Sequence, residues 1–166
     1  MTGMKYLYIY IAALFCLLVN PLHATNAYEG DSPVAGVLES HKESKILEGT
    51  KFKIAKPFIK KTPMGVIIDE IKMMIIYPLD KDDFSLPKEI SQALNQYIQV
   101  REIDDERSTM TIYIDVPKDD RFSEIILYNT RPDPSIMLFM GDFTVESLIK
   151  VGEASEQERK HLRKNK

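Results

Sequence analysis

The chain has 166 residues, and its 22 Lys and Arg against 25 Asp and Glu give a formal net charge of −3. This mildly acidic balance argues against nucleic acid as a partner, since nucleic-acid-binding domains are usually strongly basic. The glycines are too widely spaced for a phosphate-binding loop, which argues against a nucleotide site.

The N-terminal segment has the layout of a cleavable secretory signal. Lys5 precedes an uncharged apolar run over 6–19, and this run is shorter than the roughly 20 residues of a transmembrane helix. The small residues that follow predict cleavage after Ala27, with cleavage after Ala24 or an uncleaved anchor as alternatives. We therefore expect a signal peptide over 1–27 and a periplasmic or secreted protein, which contacts the membrane only through its leader before cleavage.

Cleavage would also remove reactive side chains. The leader contains the only cysteine, Cys16, and one of the three histidines, His23. Without Cys16 the mature chain has no thiol chemistry and no disulfide. The remaining His41 and His161 are far apart in the sequence, whereas a zinc site needs three or four converging ligands. We expect no metal and no cofactor.

Acidic residues cluster in three predicted turns, at 80–83, 104–106 and 119–120. Aspartate is favoured in turns because its short side chain bonds to local backbone donors. None of the clusters has the spacing of a calcium loop. The sequence therefore assigns no catalytic residue and predicts a protein that is not an enzyme. Two acids brought together only in space, as glycoside hydrolysis requires, stay open as an alternative.

The mature domain is predicted to begin with short elements. The Ser32-Pro33 pair is typical of a helix start and predicts a helix over about 33–44. Phe52 and Ile54 alternate with lysines, which predicts a short strand with one solvated face. A brief helix over 55–62 should follow, limited by an internal proline.

The central part of the domain is predicted to contain one strand and one helix. The apolar run over 66–77 is typical of a central strand. Ser85 then offers an N-cap for an amphipathic helix. The apolar residues of this helix recur at helical spacing at Ile90, Ala93, Leu94 and Tyr97.

Three segments that alternate with period two predict an antiparallel meander. Their apolar residues are Met110, Ile112, Ile114 and Val116, then Ile125 and Leu127, then Ile136, Leu138 and Met140. The connecting loops are too short for parallel crossovers. Because Met137 and Phe139 make the opposite face of the third segment apolar as well, we expect that strand to be central or covered on both faces.

The C-terminal part is predicted to form one short helix. Gly141 and Asp142 should end the last strand, with Asp142 as N-cap and Gly152 as the end of the helix. The basic segment 153–166 has too few apolar residues to pack and is predicted to be disordered. The expected architecture is one α+β domain over 28–152, with a mainly antiparallel sheet packed by two or three helices.

Five lysines lie within eleven residues that contain no acid: Lys51, Lys53, Lys56, Lys60 and Lys61. Basic residues interleaved with Phe52 and Phe58 can hold an anionic lipid headgroup or glycan. A solvated strand edge, on which lysine blocks pairing with other strands, is the alternative interpretation.

Between residues 109 and 151, two alternating strands are followed by a hydrophobic strand, the Gly141-Asp142-Phe143 junction and a short helix. This pattern resembles the C-terminal half of short exported proteins of unknown function from Bacteroidetes-type bacteria. The leader, the early helix and the central helix occur in matching order, so the resemblance covers most of the mature chain. It implies export and this fold, and it supplies no catalytic residues.

Together these patterns predict an exported non-enzymatic domain that binds a protein partner or an envelope component. One alternative is a hydrolase that acts on envelope polymers. The other is binding of anionic lipid or glycan through the segment 51–61.

Overall fold

The computed structural model describes residues 32–83, 85–104, 109–131 and 133–164, the side chains at 158, 159 and 161–164 excepted. In chain order the elements are α1 (Pro33–Ser40), β1 (Lys45–Glu48), α2 (Gly49–Ile59), a 3-10 helix (Pro63–Ile67), β2 (Ile71–Pro78), α3 (Lys88–Leu94), β3 (Ile98–Asp104), β4 (Thr109–Ile114), β5 (Arg121–Arg131), β6 (Ser135–Thr144) and α4 (Val145–Lys164). The predicted signal peptide, its cleavage site, Cys16 and His23 lie outside the described residues.

The strands form one six-stranded antiparallel sheet in the order β1-β2-β6-β5-β4-β3. This arrangement confirms the predicted α+β class and the C-terminal meander of β4, β5 and β6. Strand β6 lies between β2 and β5, and its residues 135–141 are all buried. The apolar side chains on both faces of β6 predicted this central position.

Helices cover both faces of the sheet, so that the domain has two cores. Helix α2, the 3-10 helix and α4 cover one face, whereas α1 and α3 cover the other. The first core includes Phe52, Ile67 and Phe139, and the second includes Leu38, Ile90 and Leu138. No residue of β3 belongs to either core, which leaves that strand at the margin of the packed layers.

The lysine-rich segment is helical, so the strand predicted around Phe52 and Ile54 is wrong. Helix α2 buries Phe52, Ala55 and Ile59, which recur at the i, i+3, i+7 spacing of one helix face. Ile54 faces outward and is 56% exposed. Two apolar residues are too few to distinguish a period of two from a period of 3.6, and the burial of the helical stripe decides the conformation.

The junction between β6 and α4 also differs from the prediction. Strand β6 continues past Gly141 to Thr144, and Asp142 does not cap the helix. Thr144 and Ser147 cap it instead: the Thr144 hydroxyl accepts from the Ser147 N–H at 3.2 Å, and the Ser147 hydroxyl accepts from the Thr144 N–H at 3.0 Å. Gly141 permits β6 to pass closely along the Glu70 backbone, where a side chain would collide with the Glu70 carbonyl.

Helix α4 does not end at Gly152 but continues to Lys164, so the segment predicted to be a disordered tail is helical over most of its length. The residues after Gly152 are mostly Glu, Ala, Gln, Lys and Arg, which are strong helix formers. Arg101 of β3 also pairs with Glu156 of α4 at 3.4 Å, which holds this part of the helix beside the sheet.

Three further elements differ in their boundaries from the prediction. Helix α1 begins as predicted, with the Ser32 hydroxyl accepting from the Ala35 N–H at 3.0 Å, but it ends at Ser40 and β1 follows. The 3-10 helix occupies the first part of the predicted central strand, so β2 begins at Ile71. Helix α3 begins after Pro87 rather than after Ser85.

None of the described helices is both long enough and apolar enough to span a membrane.

Candidate binding groove

Strand β3 forms one edge of the sheet. It pairs with β4 on one side, and no strand within the described ranges pairs with its other side. Ile98 and Val100 are 42% and 37% exposed. Proteins usually protect such edges with lysine, proline, a bulge or a covering element. Strand β3 has a bulge between Gln99 and Arg101 but contains neither lysine nor proline. Its outer edge is therefore protected by the bulge but not by lysine or proline.

A groove of about 310 Å³ lies between β3 and α4. Its apolar lining consists of Val100, Ile103, Ile112, Leu148, Ile149 and Val151. Helix α4 packs on the 3-10 helix, and its residues 148–156 face β3 and β4 across the groove. Ile149 stays 56% exposed at its margin. The domain thus has apolar side chains beside an open strand edge.

The margin of this groove is charged and mainly acidic. Arg101 Nη2 lies 3.4 Å from Glu156 Oε1 and connects the strand with the helix. Glu153 also lines the groove. Glu102 lies between the lining residues Arg101 and Ile103 on β3, so it faces the opposite side of the sheet, near Tyr113. Glu153 forms no ion pair within the described part of the chain. After Arg101 and Glu156 neutralise each other, a negative charge remains near the groove.

The lysines predicted to bind anions do not form a single cluster. One face of α2 carries Lys53, Lys56 and Lys60, which follow the i, i+3, i+7 spacing. Lys51 falls on the other side of the helix, and Lys61 lies beyond its end. Lys56 donates to Asp69 Oδ1 at 2.6 Å, and this hydrogen bond lowers the pKa of the Asp69 carboxyl below its ordinary value. The structure therefore brings together only three of the five predicted lysines, Lys53, Lys56 and Lys60.

Glu124 of β5 is a buried carboxylate that joins the sheet to the start of α1 and to the turn after α3. It is 4% exposed, and its Oε2 accepts from the Tyr97 hydroxyl at 2.5 Å. Burial raises the pKa of Glu124, whereas hydrogen bonds from Tyr97 and Ser32 oppose that rise. The nearby Asp115 accepts from the backbone N–H groups of Ser123 and Glu124 at 3.0 and 2.8 Å. Neither carboxylate lines the groove.

The other candidate chemical groups do not converge. His41 follows the end of α1, and its ring centre lies 4.9 Å from that of Tyr77; the side chain of His161 lies outside the described residues. Asp119 and Asp120 adopt positive φ angles of 52° and 60° in the turn before β5, a conformation that aspartate tolerates. Among the residues that the structure describes, no group of three or more His, Cys, Asp or Glu is placed to hold a metal.

Sequence patterns alone did not indicate the groove. Its residues come from β3, from β4 and from both sides of Gly152 in α4. Two of these segments were not predicted as regular structure, namely β3 and the helical residues after Gly152. The sequence feature that could have indicated β3 was the apolar character of Ile98, Val100 and Ile103. These residues do not alternate strictly, because the bulge inserts a residue.

Comparisons with known proteins give no match: no family model, no curated protein and no solved structure matches this chain. A functional proposal therefore depends on the geometry and chemistry of the domain itself. The two surfaces that stand out are the groove beside β3 and the basic face of α2.

Proposed function

We propose that this protein is an exported, non-enzymatic binding domain, and that β3 and the adjoining groove take up an extended segment of a partner protein. The observation that carries this proposal is the open edge of β3 lying next to an apolar groove. In strand addition, backbone hydrogen bonds to the edge strand supply affinity, while side-chain pockets beside it supply specificity. This margin of the domain offers both.

The charge around the groove defines the kind of segment that fits. The lining is apolar, so apolar side chains at alternate positions of an extended segment would enter it. Glu153 leaves negative charge at the margin. Complementary charge favours association and suppresses wrong partners. The expected partner segment therefore has alternating apolar residues flanked by lysine or arginine.

The rival proposal is a hydrolase that acts on envelope polymers. Two carboxylates that converge on an open pocket would favour it. Glu124 has a raised pKa, but it is 4% exposed and hydrogen-bonded to Tyr97. Asp115 is occupied by backbone N–H groups. These two acids support a structural role, and the geometry favours binding over hydrolysis.

Selection from a displayed library of random linear peptides tests the proposal. We expect the selected peptides to share alternating apolar residues with a basic flank. Val100→Lys and Ile149→Lys should each weaken their binding by about tenfold or more, because a charged group would replace an apolar contact of the groove. Val116→Lys is the matched control, since Val116 is 65% exposed and does not line the groove.

Two results would contradict the proposal. Selected peptides that bind Val100→Lys and Ile149→Lys as tightly as the unchanged protein would place their site elsewhere. Peptides that lose binding equally in Val116→Lys would indicate an effect of added charge in general. Circular dichroism of each variant establishes that the fold is retained before binding is compared.

A further inference from the structure

The exposed half of α2 combines a basic stripe with an apolar one. Lys53, Lys56 and Lys60 share one face, and Ile54 and Pro57 form the next stripe at the same i, i+3 spacing. Ile54 is 56% exposed and Pro57 is exposed. The opposite face of the helix is buried in the first core. The half of α2 that faces water is therefore amphipathic.

The end of α2 adds a further exposed apolar residue to this surface. Gly65 packs so closely on the Lys60 backbone that a side chain at that position would collide with it. The neighbouring Val66 therefore lies close to the C-terminal end of the helix, and it is 51% exposed. Val66 thus adds an exposed apolar side chain near the Lys60 end of the helix.

We propose that this surface, formed by the exposed half of α2 and Val66, binds a membrane surface that contains anionic lipid. Lysine beside exposed aliphatic side chains suits a bilayer interface, where the ammonium groups meet phosphate and the apolar groups enter the headgroup boundary. A soluble anionic glycan would match the lysines but would leave Ile54 and Val66 in water. The long lysine stems can also cover apolar surface while their charges reach the headgroups.

Most of the positive charge on this surface remains available for such binding. Lys56 is paired with Asp69, which is an acid beside the stripe. Lys53 and Lys60 form no ion pair within the described residues. The face therefore keeps a positive balance although the formal net charge of the whole chain is −3. Attraction to an anionic surface is thus local and should weaken with salt.

The proposed membrane surface is well separated from the groove. Helix α2 packs on β1 and β2, at the opposite edge of the sheet from β3. Five inter-strand spacings of about 4.8 Å separate β1 from β3, which amounts to roughly 24 Å. The membrane surface and the groove therefore lie at opposite edges of the sheet, on the same face, and each can be tested with its own substitutions.

A single-tryptophan reporter tests the proposal, because the chain contains no Trp. The Ile54→Trp protein is purified in the form that the expressing cell produces. It is then mixed with phosphatidylcholine vesicles that either contain or lack phosphatidylglycerol. We expect its emission to shift to shorter wavelength only with the anionic vesicles. Ile98→Trp, at the opposite edge of the sheet, is the matched reporter and should not shift.

Charge reversal distinguishes vesicle binding through the lysines of α2 from vesicle binding through the N-terminal segment. In the Ile54→Trp protein, Lys53→Glu with Lys60→Glu should weaken vesicle binding by about 30-fold or more, since each lysine near an anionic surface contributes about fivefold. Lys88→Glu with Lys118→Glu makes the same change in charge outside α2 and should leave the emission shift in place.

Three results would overturn the proposal. One is an Ile54→Trp emission that does not respond to anionic vesicles. Another is a shift that survives reversal of Lys53 and Lys60. The third is a shift produced by heparin but not by vesicles, which would assign the surface to a glycan. Vesicle binding that requires both lysines and moves only the α2 reporter would support it.

Discussion

Replacing Tyr97 by phenylalanine should show how much the hydrogen bond from Tyr97 to the buried Glu124 contributes to stability. The change removes the hydroxyl that lies 2.5 Å from Glu124 Oε2 and leaves a carboxylate that is only 4% exposed. Hydrogen bonds to charged groups contribute about 1.5–3 kcal/mol, and a buried group that loses its partner keeps its desolvation cost. We expect the free energy of unfolding at neutral pH to fall by about 2 kcal/mol.

The effect should depend on pH in a defined direction. Burial raises the folded-state pKa of Glu124 above its ordinary value of 4.5, so the folded protein holds the proton more tightly than the unfolded chain. The stability contributed by this group is fully present below pH 4.5 and is lost as the pH rises through the raised pKa. The Tyr97 hydroxyl stabilises the charged form, so Tyr97→Phe should be costlier at neutral pH than in mild acid.

Urea unfolding followed by circular dichroism measures both effects. Glu124→Gln keeps the shape of the side chain but removes its charge, and in that background Tyr97→Phe should cost only about 1 kcal/mol. An equal cost at neutral and acid pH, and in both backgrounds, would refute the account. It would mean that Tyr97 acts through packing and not by compensating a buried charge.

The same unfolding experiment tests three further substitutions. Gly36→Ala should stabilise the protein by about 0.5–1 kcal/mol, because Gly36 lies within α1 with open space around it; a loss of stability would contradict this. Gly141→Ala should cost about 2 kcal/mol or more, since its methyl group would collide with the Glu70 carbonyl, and an unchanged midpoint would refute that contact. Ser147→Ala should cost about 1–3 kcal/mol, because the Thr144 N–H and the Glu70 carboxylate would each lose a partner. A cost below about 0.5 kcal/mol would show that water replaces the hydroxyl.

The elements that sequence patterns predicted well are those in which one period persists over many residues. The meander of β4, β5 and β6 alternates over long segments joined by short loops, and its pairing follows. The helix around Ile90 and Leu94 was also predicted, because its apolar stripe is continued by Ala93 and Tyr97. In these segments local pattern and tertiary burial agree.

The groove depends on segments in which the local pattern and the tertiary structure disagree. The bulge in β3 interrupts its alternation, so Val100 and Arg101 do not follow the period of the strand. After Gly152, α4 has little apolar surface of its own, and its helix passes over the outer strands with Arg101 paired to Glu156. Such contacts between distant segments leave no periodic trace in the sequence.

The same reasoning applies to the basic face of α2. In a strand, Lys51 and Lys53 would share one face, whereas in the helix Lys53 joins Lys56 and Lys60. Residue composition indicated a basic segment, but the grouping of its charges required the helical conformation. The placement of Ile54 beside the lysines also follows from the helical conformation.

Hydrogen exchange of the β3 backbone amides tests the central proposal most directly. The amides of residues 98–104 are measured with and without a peptide chosen by selection against the protein. Strand addition predicts slower exchange along β3 on addition of the peptide, and no slowing in Val100→Lys. Protection that appears elsewhere while the β3 amides exchange at an unchanged rate would contradict the proposal.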